Sequence, residues 1–261
     1  MEPQREPLPT RVQDTPTLPS AYERTLDRGL RDLGLAEDLD REPAVRAAID
    51  GHVRLLLAWT PHINLTAIRD PAAVATGHVL DSLTALPWLR AGRPGPVLDL
   101  GSGGGFPGLP LAAALPGTAF SLAEPIAKKA AFLRAVVTAT GLAGRVEVLN
   151  ARAEGLAADP ARRGTWAVVT ARAVASTAEL VELAFPLLAA SGSLVAWKRG
   201  DLEAELITAQ RAVDGLGGGS VAVLDVGGSG RRDHRLVVVT RAGQVPLGYP
   251  RDPAARRRQP W

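Results

Sequence analysis

Cysteine is absent from the 261 residues, which excludes disulfides, thiolate–metal sites and any mechanism that needs a cysteine nucleophile. That absence fits a cytoplasmic chain. No run of about 18 uncharged apolar residues occurs, so no membrane span is expected. Met1 to Ser20 holds five prolines and mixed charges without an apolar stretch of signal-peptide type, and residues 1–20 read as a disordered leader. Histidine is scarce, with 4 copies dispersed without metal-like spacing, so no metal is expected. Lysine is scarcer still: Lys128, Lys129 and Lys198 stand among 30 basic residues. The net charge is only +3, and an arginine- and alanine-rich bias follows from GC-rich coding as readily as from a nucleic-acid partner.

What is present is ample material for a core, with 46% hydrophobic residues. From Ala21 to about Arg90 the pattern is helical: Tyr22, Leu26, Leu30 and Leu33 recur at helical spacing. Val45, Ile49, Val53, Leu56, Leu57 and Trp59 form a second stripe, and Val79 to Leu89 a third. Residues 21–92 are therefore a helical N-terminal region. Strands and helices alternate over residues 93–241, which predicts a mostly parallel, doubly wound α/β sheet with helices on both faces. Strands are expected at 97–100, 119–124, 146–150, 166–171 and 193–198, with helices near 107–115, 126–140, 176–189 and 202–214. The runs 221–226 and 236–240 have no helix between them and should pair antiparallel. Residues 242–261, with Arg256-Arg257-Arg258, read as a basic flexible tail.

The organising stretch is Val97 to Pro110, an apolar strand running into Gly101-Ser102-Gly103-Gly104-Gly105-Phe106-Pro107. Glycines there can take positive φ or let a ligand close to the backbone, and the helix start that follows favours an anion. Glu124 ends the next strand about where a carboxylate binds ribose hydroxyls. The glycines meet a dinucleotide spacing only at Gly103, Gly105 and Gly108, and an acid inside the strand, Asp99, is out of place beside a pyrophosphate. A ligand carrying both a carboxylate and an ammonium group suits an acid and a helix start together. S-adenosyl-L-methionine has both.

Asp99 to Gly105 resembles the Asp-x-Gly-x-Gly-x-Gly loop of class I methyltransferases, which implies their Rossmann-like doubly wound sheet, here with an N-terminal helical extension. Asn64-Leu65-Thr66, His78-x-x-Asp81-Ser82, the Gly105-Phe106-Pro107-Gly108-Leu109-Pro110 loop, Lys128-Lys129-x-x-Phe132-Leu133, Thr170-Ala171-Arg172-Ala173 and Trp197-Lys198-x-Gly200 occur in order. Together they resemble the RsmG (GidB) family of bacterial methyltransferases over about residues 55 to 240. The resemblance implies methylation of N7 of a guanine (guanine 527) in 16S ribosomal RNA or the small ribosomal subunit; a monomer is expected, with the oligomeric state left open by the sequence. It implies that Asp99, Gly101, Ser102, Gly103, Gly105 and Phe106 line the cofactor. Glu124 would hold the ribose, and Ala153-Glu154 would flank the adenine. Arg172 and Lys198 would carry the chemistry facing the RNA, Arg172 also reaching the cofactor. Asn64 and His78 would lie near the substrate, and a basic residue before the last strand, favoured as Arg235 within Arg232-Asp233-His234-Arg235, would contact RNA.

The missing motifs agree with this chemistry. Guanine N7 has a free lone pair, so its methylation needs alignment rather than a general base. Amino-group methyltransferases carry Asn/Asp-Pro-Pro-Tyr/Phe where Thr170-Ala171-Arg172-Ala173 stands, and carbon-5 pyrimidine methylation needs a cysteine. Structural roles stay open beside the functional ones: loop support for Asp99, a helix cap for Asn64, a buried histidine for His78, surface ion pairs for Arg172 and Lys198. The competing functions are an NAD(P)-dependent oxidoreductase, disfavoured by glycine spacing and the lack of a tyrosine–lysine pair, and a non-catalytic RNA-binding module.

Overall fold

The computed structural model describes residues 7–40, 42–92, 95–226 and 233–261. Residues 1–6 of the expected leader, Arg93 and Pro94 at the expected boundary, and Arg232 lie outside the described residues. Helices α1 (Ser20–Asp32), α2 (Ala36–Asp40) and α3 (Pro43–Trp59) open the chain. α4 (Pro71–Val74) runs through a π-helical turn, Ala75–Leu80, into α5 (Asp81–Leu83), and α6 (Leu86–Ala91) follows. The start of α4 is fixed by Pro71 in its first turn and by Asp70, whose carboxylate accepts from the Ala73 amide at 2.7 Å. The stripe Tyr22, Leu26 and Leu30 of α1 is buried, as are Val45, Ile49, Val53 and Leu56 of α3.

The rest is a seven-stranded sheet, β1 (Val97–Leu100), β2 (Phe120–Ala123), β3 (Val146–Leu149), β4 (Trp166–Arg172), β5 (Leu188–Arg199), β6 (Gly219–Asp225) and β7 (His234–Arg241), in the order β3-β2-β1-β4-β5-β7-β6. All pairs are parallel except β5–β7 and β6–β7, so the last two strands form the expected antiparallel pair and β7 slots in beside β5. The helices between strands are α7 (Gly108–Ala114), α8 (Ala127–Ala139), α9 (Ala153–Ala158), α10 (Thr177–Ala184) and α11 (Glu203–Gly215), with α12 (Pro253–Arg258) last.

Alternation along each strand sorts the core into two layers. Val97, Phe120, Leu122, Val168, Val195, Trp197 and Leu236 face α3, α7, α8 and the other N-terminal helices. Leu98, Leu100, Val169, Ala171, Leu194, Ala196 and Val237 face α9, α10 and α11. No helix of the described residues is long and apolar enough to cross a membrane.

Several expectations need correction. Residues 7–19 lie along α3 rather than loose: Trp59 Nε1 donates to the Pro9 carbonyl at 2.7 Å, Arg54 donates to the carbonyls of Thr15 and Pro16, and Val12 packs where a Cβ on Gly51 would be. Prolines pre-set the extended stretches on either side of a short 3-10 turn, Val12–Asp14, and carbonyls of the segment find donors on the helix. Six-residue α9 fills the gap between β3 and β4 that the pattern left blank. α10 stops at Ala184 and β5 starts at Leu188, five residues before the expected strand, because the apolar run there serves both elements. Pro107 precedes α7 rather than opening it. The tail is docked: buried Glu182 receives Arg251 Nη2 and Trp261 Nε1 at 2.6 Å each, and Arg256 bridges Glu154 and Glu179.

Candidate functional site

Strand order reverses between β1 and β4, and above their carboxyl ends open α/β sheets place a ligand crevice. A cavity of about 780 Å³ opens there, lined by Gly101, Ser102, Gly103, Gly104 and Phe106 of the loop after β1, by Arg172 and Ala173 after β4, by Trp197, Lys198 and Arg199 of β5, and by Leu65, Thr66, Gly77, His78 and Asp81 of the helical region. The volume falls in the range of small-molecule sites.

The glycine loop is held from both sides. Gly103 has φ +53° and only open space within ordinary contact of an added Cβ apart from one backbone oxygen, so a ligand can reach its backbone. Its amide donates to Glu124 Oε2 at 2.9 Å, and the Ile126 amide donates to Oε1 at 2.8 Å. Glu124 is itself buried beneath the loop and is not among the residues lining the cavity, so what it visibly does is hold the loop amides. Gly105 serves a different purpose. A Cβ on it would meet Leu109 at 2.4 Å and His52 Nε2 at 2.8 Å, so this glycine admits the helical region and does not line the cavity. Buried His52 of α3 lies 2.7 Å from the Gly104 carbonyl through Nε2, as a donor, and burial lowers its pKa to about 4.

Phe106 sits between two imidazoles, 4.5 Å from His52 and stacked at 4.8 Å on His78. Arg172 covers it at 5.5 Å, an arrangement in which a cation meets the ring face. The Arg172 guanidinium donates to the Gly77 carbonyl and to Asp81 Oδ2, both at 2.9 Å, and to His78 Nδ1 at 3.0 Å. His78 Nδ1 lies 3.0 Å from the Gly77 carbonyl as well, and Nε2 lies 2.7 Å from Thr66 Oγ1, so both ring nitrogens are engaged. Burial, then the Arg172 charge, lowers the His78 pKa to about 4. Gly77 and His78 lie within the π-helical turn, whose irregular backbone turns the Gly77 carbonyl to the cavity wall.

Asp81 is the hub of this corner. Its Oδ2 takes Arg172, its Oδ1 takes His234 Nδ1 at 2.8 Å, and its carbonyl takes the Trp197 indole N–H at 2.7 Å. The sequence placed Asp81 and Trp197 in motifs without giving them roles, held His234 only within the basic stretch before the last strand, and did not single out His52 or Glu205. The signal available was Asp81 beside His78 in one helical turn; the convergence of strand ends on it is tertiary.

Other expected residues lie elsewhere. Asp99 is fully buried under the loop, where Oδ2 accepts from the Gly108 amide at 3.1 Å and Oδ1 from Thr170 Oγ1 at 2.9 Å. Burial raises its pKa to about 6. It shapes the loop from within and does not line the cavity, because strand alternation turns it toward α7. Lys198 is on the opposite face from Arg172: Arg172 pairs with Trp197 across β4 and β5, so the next residue points to α11. Its Nζ donates to the Ala175 carbonyl at 2.8 Å and to Glu205 at 2.6 Å, and Glu205 also accepts from the Thr177 amide and hydroxyl. Lys198 thereby anchors the cavity wall that follows Arg172. Arg235 lies opposite Lys198 on β7 and pairs with Asp225, away from the cavity. Ala153 is buried and Glu154 holds Arg256 of the tail, neither of them on the cavity wall. Asn64 is exposed one residue outside the lining.

The sheet order with its antiparallel β7 and the glycine loop at the switch point define the fold of a class I methyltransferase. Among solved structures, the chain matches an O-methyltransferase from Bacillus cereus in complex with SAH (TM-score 0.52, 18% identity, 74% of this chain and 91% of that one). It also matches a SAM-dependent O-methyltransferase from Thermotoga maritima (TM-score 0.50, 13% identity, 73% and 72% covered). The sequence likeness goes further: the family model described as rRNA small subunit methyltransferase G (GidB) matches residues 46–233. A ribosomal RNA small subunit methyltransferase G of Roseiflexus sp. (strain RS-1) is 42% identical over 206 residues, 78% of this chain and 87% of the relative. One from Pelotomaculum thermopropionicum is 34% identical over 242 residues, 92% and 99% covered. The chain belongs to the rRNA small subunit methyltransferase G family.

Proposed function

We propose that this chain moves a methyl group from S-adenosyl-L-methionine to N7 of a guanine, guanine 527, in 16S ribosomal RNA. The supporting observation is one cavity that brings together the Gly101–Phe106 backbone, resting on Glu124, and the Arg172–Asp81–His78 corner. S-adenosyl-L-methionine, when bound, supplies an electrophilic methyl group on a sulfonium. Glu124 would receive the ribose hydroxyls, and Gly101, Ser102 and Gly103 would border the methionine part. Residues 21–92 then form the substrate-docking wall and 93–241 the transfer domain, acting in the cytoplasm.

The reaction forms an N7–carbon bond, breaks a carbon–sulfur bond and passes the positive charge to the guanine ring, with no proton lost. The chain's task is alignment and exclusion of water. The corner accordingly holds no idle base: both ring nitrogens of His78 and both carboxylate oxygens of Asp81 are engaged. Arg172 has five N–H donors of which three are used, and the others can read guanine O6. The Gly77 and Asp81 bonds fix the fork so that little side-chain freedom is lost when the base arrives.

The test is to map N7-methylguanine in small-subunit RNA from cells with and without the gene product. A modified guanine that vanishes with the gene and returns with the purified chain plus S-adenosyl-L-methionine is expected. An unchanged map would overturn the reading.

A further inference from the structure

Four cations line the cavity: Lys129, Arg172, Lys198 and Arg199. Two of them are neutralised from inside. Arg172 meets Asp81 and Lys198 meets Glu205, and their side chains are only 14% and 12% exposed. The other two are not. Arg199 is exposed and Lys129 half-buried, and neither has an acceptor or a carboxylate among the described residues. They stand on separate walls, Lys129 in the first turn of α8 and Arg199 as the last residue of β5, in register with His234. The Arg199 charge reaches His78, where it joins burial and Arg172 in keeping the imidazole neutral. The lining therefore carries two unmatched positive charges.

A base that enters a pocket for chemistry leaves its phosphates behind at the rim, because the backbone is too bulky and too strongly charged to follow it. A cation already tied to a buried carboxylate gains little from such a phosphate and would lose its own partner. A free one gains the contact outright and releases counterions. Resting on the reading of this cavity as an RNA methyltransferase site, we propose that Arg199 and Lys129 form a two-point clamp on the RNA phosphates flanking the target nucleotide. Arg172 and Lys198 act on the base and on the cavity wall, and the rim pair sets how the strand is threaded across the mouth.

The test measures binding of the full chain to small-subunit RNA by fluorescence anisotropy between 50 and 200 mM salt, for wild type, Arg199→Gln, Lys129→Gln and the double variant. Each single change should lower the magnitude of the log Kd against log salt slope by about 1, and the double by about 2. In methylation assays KM for RNA should rise roughly fivefold to tenfold in each single variant with kcat at saturating RNA unchanged, the signature of lost uniform binding. Arg199→Lys should keep the slope. Calorimetric affinity for S-adenosyl-L-methionine and the thermal midpoint should match wild type in every variant. A wild-type slope in either single variant overturns the clamp, as does loss of cofactor affinity in Lys129→Gln, which would put that ammonium on the methionine carboxylate. If the wild-type chain neither binds nor methylates the RNA, the reading of the cavity falls and the clamp with it. If it methylates and the slopes do not move, only the clamp falls.

Discussion

Asp81 holds two charged or polar partners on its carboxylate at 3% side-chain exposure, so its replacement has no solvent to fall back on. Asp81→Asn strands the Arg172 guanidinium without its counter-charge, which for buried pairs costs about 3–5 kcal/mol. We expect a loss of that order in urea unfolding, together with near-complete loss of methylation. A variant as stable as wild type would remove Asp81 from the centre of the corner. Glu124→Ala acts elsewhere: it frees the Gly103 and Ile126 amides and, on the proposed reading, removes the group that would receive the ribose. Calorimetry should show cofactor affinity falling about tenfold or more, the range for a lost charged hydrogen bond, while RNA affinity holds. At this scale the sequence pointed to His78 and Arg172, which do line the cavity, and to Glu124, which lies buried beneath the glycine turn, since strand ends and a glycine turn mark where ligand groups belong. It could not carry Asp81 or His234, whose meeting spans 153 residues of chain. Nor could it separate Asp99 from the ligand, since spacing reveals the strand but not which side each residue takes.

Among the elements, β5 does most to arrange the site. Its alternation sends Trp197 to the N-terminal helices and Lys198 to α11, so neighbours in sequence support opposite walls. Lys198→Ala removes the donor that ties the Ala175 carbonyl to Glu205, and the wall after Arg172 loses an anchor. Methylation efficiency should fall about tenfold with cofactor affinity within about twofold of wild type, read from steady-state kinetics and calorimetry side by side. An equal fall in both would move Lys198 to the cofactor. The parallel strands and their helices were legible because βα alternation is written in periodicity. Short α9 and the shared run between α10 and β5 were not, since six residues make a weak period and an apolar run fits helix and strand alike.

For the whole molecule, acid stability draws on two buried groups, His52 and Asp99, and on half-buried His78. His52 and His78 have folded pKa values of about 4 against an ordinary 6.5, so the unfolded chain binds more protons between those limits and stability rises with pH there. Asp99 works the other way, its pKa of about 6 against an ordinary 3.8 making the folded chain the better proton acceptor, so its share falls as pH rises. The two histidines together outweigh one carboxyl. Unfolding free energy should climb between pH 4 and 6.5, and Asp99→Asn should steepen the climb in denaturant titrations; a flat profile would contradict the lowered pKa of the two imidazoles. The docked C-terminal segment is a second whole-chain feature. Arg251→Ala leaves Glu182, with no exposed side-chain area, with only the residue-251 amide and the Trp261 indole as donors and no counter-charge, and the thermal midpoint should drop by several degrees for the roughly 2–3 kcal/mol involved. Prolines and an arginine run at residues 246–260 read as a loose tail because nothing local reveals the buried acid that receives them.

The clasp between His52 and the Gly104 carbonyl has a bearing on how the two halves are joined. The imidazole that braces the glycine turn comes from α3, and Phe106 is wedged between that ring and His78, so one of the turn's two sides is held by the leading helices. The sheet half is therefore not a detachable module: cut loose, it would forfeit the brace behind its glycine turn and bare the oily part of the sheet face that the leading helices cover.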